Sequence, residues 1–147
     1  MSRRKGRIIA FQALYSWDVS KSSLDDLLSF SWLQKSDEQE TDEPSESAKE
    51  ERTFASIIIS GTISHIDEID KLIENHLSSS WSMERISRVS LAILRTSVYE
   101  ILFQNGSEPR IVIDEAVNIS KDYDTDDSYK FINAVLDKIG KDEAKRS

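Results

Sequence analysis

The chain has no cysteine and few residues that interrupt helices: four glycines and two prolines among 147 residues. Without cysteine it can form neither a disulfide nor a thiolate metal site. The scarcity of glycine and proline argues against a turn-dense β architecture, so we expect an all-α fold. No apolar run approaches the roughly 20 residues of a membrane-spanning helix, and the basic start lacks the unbroken apolar stretch of a signal peptide. We therefore expect a helical protein of the cytoplasm.

The residue patterns of catalysis and metal binding are also missing. The sequence has no Gly-rich phosphate-binding loop and no Ser-His-Asp arrangement. Its two histidines, His65 and His76, lie eleven residues apart, and neither has a companion at metal-ligand spacing. Glu100 interrupts an apolar helix, and we expect it to pair with Arg95 or Arg88 rather than to act as a general base. The sequence thus predicts no enzyme, no metal site and no cofactor.

Positive charge is concentrated at the start of an acidic chain. Arg3, Arg4, Lys5 and Arg7 form a basic head, which leaves −12 on the remainder when these four charges are subtracted from the net charge of −8. Because the Debye length is about 8 Å at physiological salt, distant acids do not prevent the head from binding phosphate. Cations at a helix N-terminus oppose the helix dipole, and a bound phosphate reverses that penalty. The basic head therefore predicts a nucleic-acid contact, with an inert basic tail as the alternative.

Apolar residues recur at helical spacing along most of the chain. In the first segment Ile8, Phe11 and Tyr15 follow the i, i+3, i+7 rule. Ser22 is the predicted N-cap of the second helix, and Asp126 or Asp127 that of the last. About seven helices are predicted, over residues 4–20, 24–33, 46–65, 66–77, 91–103, 111–123 and 127–139.

An acidic segment separates the second predicted helix from the third. Residues 35–50 hold one apolar residue, Ala48, together with Pro44. Such a composition predicts a flexible, solvated loop. It is either a plain linker or a flap that competes with RNA for the basic head. We expect one domain of two packed helical subdomains, about residues 1–80 and 81–147.

Three blocks, in matching order and spacing, resemble the NusB family of bacterial transcription antitermination factors. They are RRKGRIIAFQALYSWDVS at residues 3–20, LAILRTSVYEILF at residues 91–103, and PRIVIDEAVNISKDYDTDDSYKFINAVLDKI at residues 109–139. The resemblance implies an all-α adaptor rather than an enzyme. It also implies binding to single-stranded boxA RNA of ribosomal RNA transcripts. The implied protein partners are NusE, a small-subunit ribosomal protein, and an RNA polymerase antitermination complex.

Four positions depart from the pattern of the family. Asp114 stands where Asn is usual, Asp124 and Ala134 stand where Gly is usual, and Tyr129 stands where His is common. Alanine is more favourable than glycine in a helix by up to about 1 kcal/mol, so the change at residue 134 should not harm the fold. Asp124 adds negative charge near the implied RNA surface, where it could weaken or retune binding.

The resemblance also implies which residues bind RNA and protein. The implied RNA-binding residues are Arg3, Arg4, Lys5, Arg7, Gln12, Tyr15, Asp127, Ser128, Lys130 and Phe131. The implied NusE-binding residues are Glu84, Arg88 and Leu91. For Phe131 a place in the core competes with base stacking, and Asp127 is either an N-cap or an acceptor for base amino groups.

The sequence is also compatible with two other functions and with a homodimer. The chain could be a helical protein–protein scaffold with an inert basic tail. It could also be a detached RNA-binding module related to ribosomal RNA methyltransferases, although those need a following cofactor-binding domain and this chain ends at Ser147. A homodimer through the basic face would hide the RNA site.

Overall fold

The computed structural model describes residues 2–33, 44–78, 82–104 and 106–144, which form seven α-helices, one 3-10 turn and no strand. The predicted all-α fold is therefore confirmed. Residues 34–43, which include most of the predicted acidic loop, lie outside the described residues. The helices are α1 (Arg3–Val19), α2 (Leu24–Ser29), α3 (Glu46–Ser64), α4 (Ile66–Asn75), α5 (Arg88–Phe103), α6 (Pro109–Tyr123) and α7 (Ser128–Ala144), with the 3-10 turn η1 (Met83–Arg85) before α5.

Serine side chains cap several helix N-termini. In each case the hydroxyl accepts a hydrogen bond from a backbone N–H of the first turn, which would otherwise lack a partner. The prediction for the second helix was wrong by one residue at its start, because its N-cap is Ser23 rather than Ser22. That helix also ends at Ser29 rather than Leu33, since Phe30 adopts a left-handed backbone conformation with φ of 56°. The serine N-caps are Ser2 of α1, Ser23 of α2, Ser45 of α3 and Ser87 of α5.

Helix α5 is the centre of the fold. Every residue from Ser90 to Val98 is buried, because α5 is packed by α1, α3, α4, α6 and α7. The core is continuous across all of these helices. The division into two subdomains near residue 80 stays a prediction.

A glycine sets the distance between α3 and α5. A Cβ atom at Gly61 would lie only 2.0 Å from Cζ of Tyr99, so the ring of Tyr99 occupies the space that any other residue would need. This contact brings the C-terminal part of α3 close to the central helix. None of the described helices is both long and apolar enough to span a membrane.

Candidate nucleic-acid interface

The basic head occupies the first turn of α1. Ser2 accepts a hydrogen bond from the backbone N–H of Lys5 at 3.2 Å, which fixes where the helix starts. Gly6 is buried in the middle of the head, and a Cβ there would meet Cδ2 of Phe54 at 2.6 Å and the backbone oxygen of Glu51 at 3.2 Å. Because this side of the turn is pressed against α3, the cations of the head cannot all face solvent.

Arg7 lies beneath the surface formed by the other three cations. It is 8% exposed, and its Nε and Nη2 atoms donate to the two carboxylate oxygens of Glu100 at 2.8 and 2.6 Å. The ring of Phe54 lies 5.6 Å from the guanidinium carbon. Pairing of Glu100 with Arg95 or Arg88 was therefore the wrong expectation. The predicted RNA contact of Arg7 does not fit this arrangement either, since its guanidinium faces the interior.

Arg4 is exposed but paired. Its Nε and Nη2 atoms donate to Glu115 of α6 at 2.8 and 3.1 Å, with 53% of the Arg4 side chain and 20% of the Glu115 side chain exposed. The hydrogen bond is the main reason why the pKa of Arg4 is raised and the pKa of Glu115 is lowered. The pair joins the basic head to α6.

Arg3 and Lys5 are the unpaired cations of the head. Both are exposed, and no carboxylate among the described residues forms an ion pair with either. The guanidinium of Arg3 lies 5.7 Å from the ring centre of Phe54. This contact involves no counter-charge, and the Arg3 side chain is exposed to solvent. Of the four cations in the head, these two carry a charge that no carboxylate among the described residues neutralises.

An aromatic groove of about 500 Å³ lies further along α1. Lys5 and Gln12 are seven residues apart and so share a helix face, which connects the basic head to this groove. Its wall includes an edge-to-face contact between Phe11 and Tyr123, with ring centres 5.3 Å apart. Tyr15 is 37% exposed at the groove, and an exposed ring can stack on an unpaired base. The lining residues are Phe11, Gln12, Tyr15, Ser16, Trp32, Leu33, Val89 and Tyr123.

The first turn of α7 carries the other predicted RNA-binding residues. Asp127 and Lys130 are highly exposed and lie 3.7 Å apart, while Ser128 shares a hydrogen bond with the hydroxyl of Thr125. Phe131 is half-buried and packs against the core, which supports its core interpretation. This turn offers one exposed cation and one exposed carboxylate.

The chain is similar to proteins of one known family. Residues 4–141 match the profile of the NusB family. The chain belongs to the NusB family. The resemblance seen in the three sequence blocks is thereby confirmed. Members of this family are transcription antitermination factors, and their role is not an enzymatic one.

Two curated relatives are similar over nearly their whole length. The transcription antitermination protein NusB of Treponema denticola is 49% identical over 141 residues, which cover 95% of this chain and 96% of the relative. The NusB of Borreliella burgdorferi is 41% identical over 134 residues, covering 90% and 89% of the two chains.

Solved structures of NusB proteins share the fold. T. maritima NusB is 30% identical, with a TM-score of 0.78 over 96% of this chain and 92% of that one. A NusB solved with NusE and double-stranded RNA is 27% identical, with a TM-score of 0.74 over 95% of this chain and 96% of that one. The all-α fold is thus shared with a protein that has been seen with both kinds of partner.

The Asp124 departure from the family has a structural reason in this chain. Its backbone is extended, with φ of −114°, so the position does not require glycine. Its carboxylate accepts hydrogen bonds from the hydroxyls of Ser87 and Ser90 and from the backbone N–H of Thr125. Asp124 therefore ties the α6–α7 turn to the N-terminus of α5, rather than only adding charge near the predicted RNA surface.

A lysine–tyrosine cluster at the same turn was missed from the sequence. The ammonium groups of Lys121 and Lys130 lie 4.7 and 5.9 Å from the ring centre of Tyr129. Lys121 lies in the last turn of α6 and Tyr129 in the first turn of α7, so only the turn between these helices brings them together. Helical periodicity within either segment gives no signal for such a contact.

The predicted NusE-binding residues are not on one surface. Glu84 is exposed in η1, and Arg88 is exposed at the start of α5, where its Nη1 lies 3.3 Å from Oδ2 of Asp18. Leu91 is 1% exposed and belongs to the core. The reason is position along the helix: Arg88 is the first residue of α5 and lies at its exposed end, whereas Leu91 belongs to the stretch that other helices cover. Glu84 and Arg88 alone remain available to a partner.

Proposed function

We propose that this protein is an RNA-binding adaptor of transcription antitermination that binds boxA RNA of ribosomal RNA transcripts together with NusE. The observation that carries the proposal is the exposed cationic surface of α1, which lies on the same side of that helix as an aromatic groove. Phosphate contacts supply affinity and position, whereas base contacts supply sequence preference. The two parts of this surface are suited to these two tasks. The similar NusB solved with NusE and double-stranded RNA supports the parts of the proposal that concern NusE and RNA as partners.

The proposed RNA path begins at the head and follows α1. Arg3, Arg4 and Lys5 contact phosphates, since they are the exposed cations of the first turn. Gln12 and Tyr15 contact a base at the groove, where stacking on the tyrosine ring requires an unpaired base. This requirement favours single-stranded RNA.

Arg7 acts in this proposal as a positioning residue. Its buried pair with Glu100 fixes the first turn of α1 on α5, and so holds the exposed cations in place. A guanidinium committed to a buried carboxylate has to break that pair before it can bind phosphate, at a cost of several kcal/mol.

The start of α7 completes the proposed RNA surface. Lys130 contacts a phosphate, and Asp127 and Ser128 accept hydrogen bonds from base amino groups. Phe131 supports this turn from the core side, in keeping with its half-buried position. The contribution of α7 is thus to base preference more than to charge.

NusE is proposed to contact Glu84 and Arg88, with Leu91 supporting that surface from the core. The exposure of the first two side chains supports this assignment. The RNA-bound pair then joins an RNA polymerase antitermination complex in the cytoplasm. A homodimer through the basic face would compete with RNA, so its mass should fall to that of a monomer when RNA is added.

Fluorescence anisotropy with a labelled boxA-like single strand and a scrambled strand tests the proposal. With about three phosphate contacts from the head, log K should fall with log salt at a slope near −2, at roughly 0.7 per contact. The boxA-like strand should bind more tightly, and NusE should increase the difference. A slope near zero, or equal binding of both strands with and without NusE, would refute the adaptor function and leave the scaffold interpretation.

Charge removal at one lysine provides a matched comparison. Lys5→Gln should weaken binding of both strands and make the salt slope shallower by roughly 0.7. Lys138→Gln removes the same charge from an exposed position of α7 that is not part of the proposed RNA surface. Equal effects of the two variants would show that the head has no special role.

A further inference from the structure

One contact of the basic head limits the head's own charge. Glu115 binds the side of the Arg4 guanidinium that carries Nε and Nη2. The opposite side, with Nη1, has no partner among the described residues. A phosphate can therefore reach Arg4, but it would bind a guanidinium that already shares a carboxylate.

We propose that Glu115 limits non-specific RNA binding, because it partly neutralises Arg4 and so weakens the contact of Arg4 with any phosphate. This inference rests on the proposed RNA-binding function. Its chemical basis is that non-specific binding of nucleic acid depends almost entirely on phosphate neutralisation. A carboxylate next to a phosphate-binding cation therefore penalises every RNA sequence. Sequences with good base contacts at the groove overcome the penalty, and others do not.

The surroundings of the pair favour this role. Glu115 is 20% exposed, and two hydrogen bonds from Arg4 hold its carboxylate. Asp122, two helical turns further along α6, acts on Arg4 more weakly than Glu115 does. A phosphate bound to the open side of Arg4 consequently meets a guanidinium whose other side is already held by a carboxylate.

A purely structural role for the pair leads to a different expectation. If Glu115 only held Arg4 in a productive orientation, its removal would weaken RNA binding. If it opposes phosphate, its removal strengthens binding. The direction of the change in affinity therefore separates the two roles, and loss of folding cannot imitate a gain in affinity.

The test compares Glu115→Gln with Asp114→Asn, which removes one exposed charge from the neighbouring position of α6. Glu115→Gln should raise affinity for scrambled single-stranded RNA about three- to tenfold, as expected when one charge about 7 Å from a phosphate is removed near a protein surface. The salt slope should become steeper, and the affinity for the boxA-like strand should rise by a similar factor. Asp114→Asn should change each quantity less than twofold, since such exposed charges are screened.

The same measurement on Arg4→Gln completes a double-mutant cycle. Arg4→Gln should weaken RNA binding more in the Glu115→Gln background than in the wild type, because the full charge of Arg4 is available only there. Unchanged or weaker binding by a folded Glu115→Gln protein would overturn the inference. If the wild type shows no RNA binding while Glu115→Gln gains it, the inference stands and the proposed adaptor function fails.

Discussion

The buried ion pair between Arg7 and Glu100 offers the most direct test of the structure beneath the basic head. Their side chains are only 9% and 2% exposed, and both carboxylate oxygens accept a hydrogen bond. Glu100→Gln leaves a guanidinium buried without a counter-charge. Removal of one partner of such a pair costs about 3–5 kcal/mol, a large part of the roughly 5–15 kcal/mol by which a domain of this kind is stable.

The loss is measurable by urea unfolding followed by far-UV circular dichroism. Glu100→Gln should lower the unfolding midpoint while the slope m stays the same, since the surface exposed on unfolding does not change. The double variant Arg7→Met with Glu100→Leu removes both charges at similar volume. Its free energy of unfolding should lie within about 1 kcal/mol of the wild type, or above it.

Two results would contradict this reasoning. A loss of less than about 1 kcal/mol in Glu100→Gln would mean that water reaches the pair. If the double variant were as unstable as Glu100→Gln, the loss of stability would not come from the unpaired charge of Arg7. RNA binding adds a separate readout, because wild-type affinity in a folded double variant would show that Arg7 makes no direct contact with RNA.

Three further predictions concern other contacts. Gly61→Ala should lower the free energy of unfolding by about 1–3 kcal/mol through overpacking against Tyr99. Gly140→Ala should not, because a Cβ there meets open space. Equal melting temperatures of the two variants in calorimetry would refute the close approach of α3 and α5. The hydrogen bond from Arg4 holds the pKa of the Glu115 carboxyl below its usual value. The unfolded chain therefore binds more protons in acid, and the contribution of the pair to stability is lost as pH falls through the folded-state pKa. Glu115→Gln should make the urea unfolding midpoint depend less on pH in the acid range, and an unchanged dependence would contradict the pairing. Asp124→Gly should cost about 1–3 kcal/mol by removing charged hydrogen bonds to the start of α5, and a neutral effect in urea unfolding would show that they contribute nothing.

The helices were predictable because each depends on local periodicity and local caps. The predicted segments 46–65, 66–77 and 111–123 correspond to helices that differ from them by two residues or fewer at each end. The errors came from geometry that periodicity does not contain. The second helix ends early because Phe30 adopts a left-handed backbone conformation. This conformation is rare for a bulky aromatic residue, so the sequence did not predict it.

The partners of the basic head were not predictable in the same way. Arg7 and Glu100 are 93 residues apart, and Arg4 and Glu115 are 111 residues apart. One signal was present for the first pair: Arg7 lies four residues before Phe11 and seven before Leu14, on the apolar stripe of α1. A charged residue on such a stripe predicts a buried partner, and an acid in the apolar α5 was the natural candidate. No comparable signal existed for the exposed pair.

The acidic character of the chain therefore bears directly on its basic head. Counting residues gives four positive charges, but carboxylates from α5 and α6 are paired with two of them. Arg3 and Lys5 keep their full charge, and Arg4 keeps part of its own. So few phosphate contacts give weak, salt-sensitive binding, which cannot by itself select one RNA among many. Selectivity then has to come from the aromatic groove, the start of α7 and a protein partner, and this is why affinity for a scrambled strand is the quantity most informative about Glu115.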